Sequence, residues 1–429
     1  MNSKLTISAN IAHKVTFASH QNSAPILLDL KIENPSEIAF EGLIVELSAE
    51  PGFLTPRTWR IDRLDPGANI HILDRKIDLN AGLLFETAEA MTAEITIRLL
   101  REDEVLASTR YPVEVLARNE WGGAAHMPEL LAAFVTPNDP AVDQLLKRAA
   151  QVLQRAGKPD GLNGYESRSS RRVWEMISAL WSAVASLRLT YALPPASFET
   201  NGQKIRPPGA VLEGGVATCL DTALMFAAAL EQMGLNPIVL LTKGHAFVGC
   251  WLIPQEFGTL ISDDVVAVRK RIALGELVVF ETTLVTNKPP PSFSQAVEEG
   301  ARQIAPEREQ DFILALDLRR ARMQRLRPLA LQPASTDADD VESEALTVES
   351  LEEAPNLPDF DAPVDTPQLT PPRESRPVAA QTPGPHRPES SASRQAERHQ
   401  PQADLPRYRA AGRPALPGAK DPHQADPRP

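Results

Sequence analysis

The sequence predicts a multidomain chain: an all-β antiparallel sandwich over residues 1–120, an α+β domain over 121–330, and a disordered, Pro-rich tail over 331–429. Three observations carry that prediction. Short runs alternate apolar and polar residues up to about residue 120, the period of a half-buried strand. Helical periodicity takes over near Trp121-Gly122-Gly123, and strands return only later, without the regular alternation of a doubly wound sheet. Beyond about residue 330, Pro, Ala, Asp, Glu, Arg and Gln dominate.

In the first region the strand-like runs are 26–35, 43–52, 68–79, 93–103 and 109–117, with Asn34-Pro35-Ser36 and Pro51-Gly52 as turns. His13, His20 and His71 lack metal-ligand spacing and read as surface or internally satisfied residues. In the second region, 139–157 has the pattern of an amphipathic helix with Asp139 as N-cap, Pro140 at N1 and Gly157 as the stop. Residues 127–135 and 169–191 are also helical, and Trp174 and Trp181 share one core-facing side. Residues 194–211 read as a loop, 263–275 as a helical insert, 276–285 as a strand, and 294–304 and 311–326 as closing helices. The tail holds about half of the 39 prolines and only Phe360 and Tyr408 as aromatics. That is too little apolar surface to offset the entropy of ordering, so the tail reads as a tether or docking segment.

Hydrophobic residues make up 42% of the 429, enough for a core, and the net charge is −12. An acidic chain is not expected to track a nucleic-acid backbone or an anionic membrane surface. The start, MNSKLTISANIAHKVTF, has no positive n-region leading into an apolar stretch, and no run approaches the roughly 20 apolar residues of a membrane span. A cytoplasmic protein without membrane contact is therefore expected. In a reducing compartment the two cysteines, Cys219 and Cys250, are not expected to pair.

The chemistry concentrates in TCLDTALMFAAALEQMGLNPIVLLTKGHAFVGCWL, residues 218–252. Gly214-Gly215 leads into an apolar helix beginning at or near Cys219, and the orphan N–H groups and dipole of a helix start favour a thiolate. The helix stops at Gly234, a strand returns over 236–244, and Gly244-His245 opens a second strand, so His245 can come back over the helix start. A thiolate beside an imidazolium is the minimal activated cysteine nucleophile, and a third group usually orients the base. Glu281, in FETT, takes that place if 276–283 pairs with 245–252.

This order resembles the core of the transglutaminase-like cysteine hydrolases, which have papain-like architecture. The resemblance rests on Gly-x-x-x-Cys-x-Asp at a helix start, Gly-His-Ala-Phe on a strand, and an acidic residue followed by threonine on the next strand. It is closest to a transglutaminase-like region, preceded by an immunoglobulin-like domain, in large bacterial superfamily 1 helicase-type proteins, and it covers most of residues 1–330. It implies an immunoglobulin-like sandwich before the α+β domain, with Cys219 as nucleophile, His245 as general base and acid, and Glu281 as orienter. The family's Asp-Pro-Thr is Glu-Thr-Thr here, and these residues hold no Gly-x-x-x-x-Gly-Lys-[Ser/Thr] loop, so a helicase or NTPase acting with them is expected on another chain.

The expected activity is thiol-dependent acyl chemistry on a protein or peptide substrate, either hydrolysis or acyl transfer through a thioester on Cys219. No metal and no cofactor are implied. The competing expectation is a catalytically inactive scaffold in a DNA-helicase-type or defence complex. Cys250, in VGCWL, reads as a small buried hydrophobe. Asp221 reads as a structural first-turn acid, Arg168–Arg172 as a solvated helix start, and Asp317, Arg319 and Arg320 as a charged helix face.

Overall fold

The computed structural model describes residues 4–74, 76–330 and 351–357. Met1–Val364 forms one compact unit of mixed α and β content with several sheets; the second unit, Asp365–Pro429, lies outside the described residues. Most of the predicted disordered tail lies outside them too, with Leu351–Leu357 the exception.

The first part has two sheets. One is antiparallel, in the order β1 (Thr6–Ile11), β3 (Leu27–Glu33), β6 (Asn69–His71). The other runs β2 (Lys14–Val15), β8 (Glu104–Val115), β7 (Met91–Arg101), β4 (Phe40–Glu50), β5 (Arg57–Leu64). Alternation decides what is buried: Leu43, Val45 and Leu47 of β4 and Ile95, Ile97 and Leu99 of β7 face Leu27, Leu30 and Ile32 of the first sheet in a common core. The strand expected over 68–79 is only three residues long: past His71, Ile72 N–H still donates to the Leu30 carbonyl, and Leu79 then makes only an isolated bridge with Leu54. Two short helices, α1 (Phe17–Gln21) and α2 (Ala81–Glu86), interrupt what the pattern offered as strands alone.

The second part is built on a five-stranded sheet in the order β15 (Ile261–Ser262), β17 (Phe312–Asp317), β13 (Pro237–Thr242), β14 (His245–Trp251), β16 (Leu277–Phe280). Before it come β9 (Glu120–Trp121), a 3-10 turn over Glu129–Phe134, α3 (Pro140–Arg155), α4 (Ser170–Ala185) and β10 (Thr190–Tyr191). Then come α5 (Phe198–Asn201), β11 (Gln203–Lys204), α6 (Pro208–Gly214), β12 (Val216–Ala217) and α7 (Cys219–Gln232). α8 (Val265–Ala273), α9 (Phe293–Gln303) and α10 (Leu318–Met323) follow the central strands. Asp139 caps α3 through the Ala141 N–H, with Pro140 in the first turn. One sheet face packs on α4, α7 and α9, with Val239, Leu241, Val248 and Phe280 against Trp181, Phe226 and Phe293. The other face packs Ile238, Leu240, Phe247 and Val279 on Val265 and Val268 of α8.

Three expectations are corrected here. Residues 311–326 are not one helix: FILALD is strand β17, paired with β13 from Ile238↔Asp317 to Thr242↔Phe312, and helix begins only at Leu318. The loop expected over 194–211 contains α5, β11 and the start of α6. The helix expected to reach residue 191 stops at Ala185, and Thr190–Tyr191 is a strand. Among the described residues no helix is long and apolar enough to cross a membrane.

Candidate active site

Cys219 is the first residue of α7, and its placement is over-determined. Thr218 is the N-cap in extended conformation; its hydroxyl accepts from Asp221 N–H at 3.2 Å, and the Asp221 carboxylate accepts from Thr218 N–H at 2.9 Å. Asp221, fully buried, also accepts from the Arg206 backbone at 2.8 Å and guanidinium at 3.0 Å, and Gln203 Nε2 donates to the Thr218 hydroxyl at 3.0 Å. The helix start is thus stapled to the segment between α5 and α6. The apolar body of α7, buried on nearly every side, fixes the rest.

β12 brings a further group. It pairs in parallel with β10, Tyr191 opposite Ala217, which sets the Tyr191 side chain beside Cys219. Burial first, then the neighbouring Cys219 and Glu281, push the phenol well above its usual range, so it stays protonated.

His245 opens β14 after the Lys243-Gly244 turn, where Gly244 has φ +70, a region open to glycine at no steric cost. β16 lies beside β14 with Val248 opposite Phe280, which carries Glu281 to the imidazole. Glu281 Oε2 and His245 Nε2 are 2.6 Å apart, and Cys219 lies close enough to the ring to influence its charge. Glu281 is 3% exposed and caps the 3-10 turn Thr282–Thr286: its Oε1 accepts from Thr283 N–H at 2.9 Å and from the Thr283 hydroxyl at 2.6 Å. Thr282 and Thr222 share a hydroxyl–hydroxyl hydrogen bond at 3.1 Å, tying that turn to the first turn of α7.

Burial pulls the His245 imidazole down, but the hydrogen bonds to Cys219 and Glu281, and their charges, more than reverse it; the pKa is raised to about 9. Burial likewise pushes Glu281 up, and the His245 and Thr283 donors bring it below its ordinary value. Both shifts favour a charged imidazolium–carboxylate pair.

The structure therefore places Cys219 near His245 and bonds His245 to Glu281. Cys219 itself is 0% exposed, while its two side-chain partners, Tyr191 and His245, are partly exposed. Cys250 lies apart, fully buried, its thiol on the Trp251 carbonyl and its pKa pushed up by burial. Asp221 is a structural cap, as its position in the first turn indicated. Asp317 is not part of a charged helix face: fully buried, it accepts from Trp251 Nε1, Phe257 N–H and Arg320 N–H, because the strand end delivers it into a ring of donors. Nor is Arg172 solvated; it is folded onto the Pro159 and Gly161 carbonyls beside buried Glu175.

Sequence reasoning missed Tyr191, Gln203 and Arg206. Tyr191 was hidden at the end of the helix expected over 169–191, and Gln203 and Arg206 in the loop expected over 194–211. Among the described residues no group of three or more His, Cys, Asp and Glu is placed to hold a metal ion. The chain matches no protein-family model and no curated protein.

Proposed function

We propose that this protein is a cysteine hydrolase or acyltransferase of transglutaminase-like, papain-like type, carried behind an immunoglobulin-like sandwich. The single observation that supports it best is the imidazole of His245, paired with buried Glu281 at 2.6 Å and lying close enough to Cys219, at the first turn of α7, for that thiol to raise its pKa. In this reading the Cys219 thiolate attacks a peptide or amide carbonyl. The His245 imidazolium gives its proton to the departing amine, leaving a thioester on Cys219. Neutral His245 then takes a proton from the incoming water or amine, which displaces the sulfur. Glu281 keeps the ring oriented and stabilises its charged form. The Cys219 N–H, without a partner inside the helix, and the protonated Tyr191 hydroxyl are the donors nearest a developing oxyanion.

A second reading is favoured by one observation, the complete burial of the Cys219 sulfur: a scaffold that keeps the constellation without turnover, in a complex with a helicase or NTPase chain in the cytoplasm. Thiol reactivity separates the two. Iodoacetamide labelling followed by mass spectrometry, across pH, on wild type, Cys219→Ala and His245→Ala supports the enzyme if Cys219 labels below pH 7 in a His245-dependent way and Cys250 stays inert. Labelling that rises only near the free-thiol value of about 8.5, indifferent to His245, favours the scaffold.

A further inference from the structure

Leu351–Leu357 is separated in sequence from α10 by nearly thirty residues, yet it sits on the body of the protein. It forms neither helix nor strand, and Leu351, Ala354 and Leu357 are half-buried against the main core. That every-third-residue spacing is the one at which a polyproline-II-type segment shows a single face. Between them, Glu352 accepts from Ser294 N–H at 3.1 Å and from the Ser294 hydroxyl, at the first turn of α9. That N–H is one of the helix's four orphan donors. Glu353 pairs with Arg171, in the first turn of α4, at 3.1 Å. Charge complements shape: Lys158, Arg171 and Arg172 converge on one buried carboxylate, Glu175, so this corner carries more positive charge than the body itself neutralises.

The two helices under the segment also hold the Glu281 turn. Glu281 N–H donates to the Ala296 carbonyl of α9 at 2.9 Å. Gly300 of α9 lies directly against the Phe280 backbone. Trp174 of α4 packs on Phe293 of α9 at 5.1 Å, and Trp181 packs on both Phe280 and Phe293.

We propose that Leu351-Glu352-Glu353-Ala354-Pro355-Asn356-Leu357 is a docking peptide built into the chain, seated in cis across the first turns of α4 and α9, and that its seating tightens the helix pair that carries the Glu281 turn. The seat takes an acidic, apolar-faced extended peptide. Each contact alone is weak, but covalent attachment holds such a segment at an effective concentration on the order of millimolar, so weak contacts suffice. The proposal concerns the tail and the Glu281 turn, and holds whether or not Cys219 reacts.

Hydrogen–deuterium exchange on the full chain tests it, with Leu351→Asp/Leu357→Asp to empty the seat. In wild type the amides of 351–357 should exchange at least about tenfold more slowly than in a synthetic 348–360 peptide. In the double variant that protection should vanish, and exchange over 281–286 and 293–297 should rise several-fold. Adding the synthetic peptide in trans should reverse the rise. Arg171→Glu should weaken protection of 351–357, and Glu353→Arg in that background should restore it, so a merely misfolded variant is recognised by failure of the restoration in both arms. Wild-type exchange of 351–357 at the free-peptide rate would overturn the docking. No change over 281–297 on emptying the seat would overturn the coupling. Protection that falls on dilution would show a second copy in the seat and overturn the cis arrangement.

Discussion

At the scale of single residues, His245 is the group whose charge decides what the site can do. Its pKa of about 9 lies above the roughly 6.5 of a free imidazole. A group raised in the folded state stabilises the fold fully below its unfolded value, and that stabilisation is lost as pH rises through the folded value. The urea midpoint of wild type should therefore decline between about pH 6.5 and 9, and the decline should be absent from His245→Gln. Glu281 supplies part of the upward shift, so Glu281→Gln should move the imidazole titration to lower pH. Long-range proton–nitrogen spectra, with the His245 signal assigned by its loss in His245→Gln, measure it directly; an unmoved midpoint would remove Glu281 from the orienting role. Tyr191 makes a different prediction. Its side chain lies beside Cys219 while remaining partly exposed, so Tyr191→Ala should open Cys219 and speed iodoacetamide labelling, whereas Tyr191→Phe, which keeps the ring, should change it much less. Equal rates in all three would mean that the phenol does not stand between the sulfur and solvent.

At the scale of elements, the site depends on two helix ends and one close approach. Thr218→Ala removes an N-cap whose hydroxyl both accepts from Asp221 N–H and receives Gln203, and should cost about 1 kcal/mol in a urea titration. Gly300→Ala should cost more, about 1–3 kcal/mol, because a Cβ there would meet the Phe280 backbone at 2.7 Å and push α9 off β16 beside Glu281. A loss below about 0.5 kcal/mol would mean that the helix shifts freely. These elements differ in how legible they were. The α7 start was readable because its signals are local: glycines, a capping threonine, then a continuous apolar run. β14 was readable for the same reason, as was the possibility that Glu281 meets His245; of the strand expected over 276–285 only Leu277–Phe280 forms, and Thr282–Thr286 is a 3-10 turn capped by Glu281. Phe312–Asp317 was not, because FILALD continues into LRRARMQRL without a breaker; partners at Ile238–Thr242, far away in sequence, make it a strand. Tyr191 was not, because two-residue β10 exists only through its pairing with β12, which no local pattern encodes.

At the scale of the whole molecule, the two parts share one compact unit, and side-chain hydrogen bonds stitch them alongside apolar contacts such as Ala18 of α1 in the main core of the second part. Gln21 and Asn22, at the end of α1 in the first part, reach the segment that follows α10. Asn22 Oδ1 accepts from Arg327 N–H at 2.6 Å, Gln21 Oε1 from Ala330 N–H at 3.0 Å, and their amide nitrogens donate to the Pro328 and Arg327 carbonyls. Leu329 N–H then donates to the Ala133 carbonyl at 2.7 Å, so residues 327–330 bridge the two parts. A composition-based boundary near residue 330 therefore falls just beyond a stretch whose backbone is held at both sides. Backbone groups that lose such partners are not all left dry, since much of this bridge is exposed; a net of about 0.5–1.5 kcal/mol per hydrogen bond, partly recovered from water, puts Gln21→Ala/Asn22→Ala at about 1–3 kcal/mol in total. The larger consequence is for cooperativity. With the bridge intact, the two cores should melt in one calorimetric transition; with both amides removed, the β-sheet core holding Ile95 and Ile97 should separate from the core holding Phe226 and Phe280 as a second transition. Two transitions already present in wild type would mean that the bridge carries no cooperativity, and a single lowered transition in the double variant would mean that contacts elsewhere between the parts, such as Lys14 to the Asn201 carbonyl and Lys204 to Glu89, carry it instead.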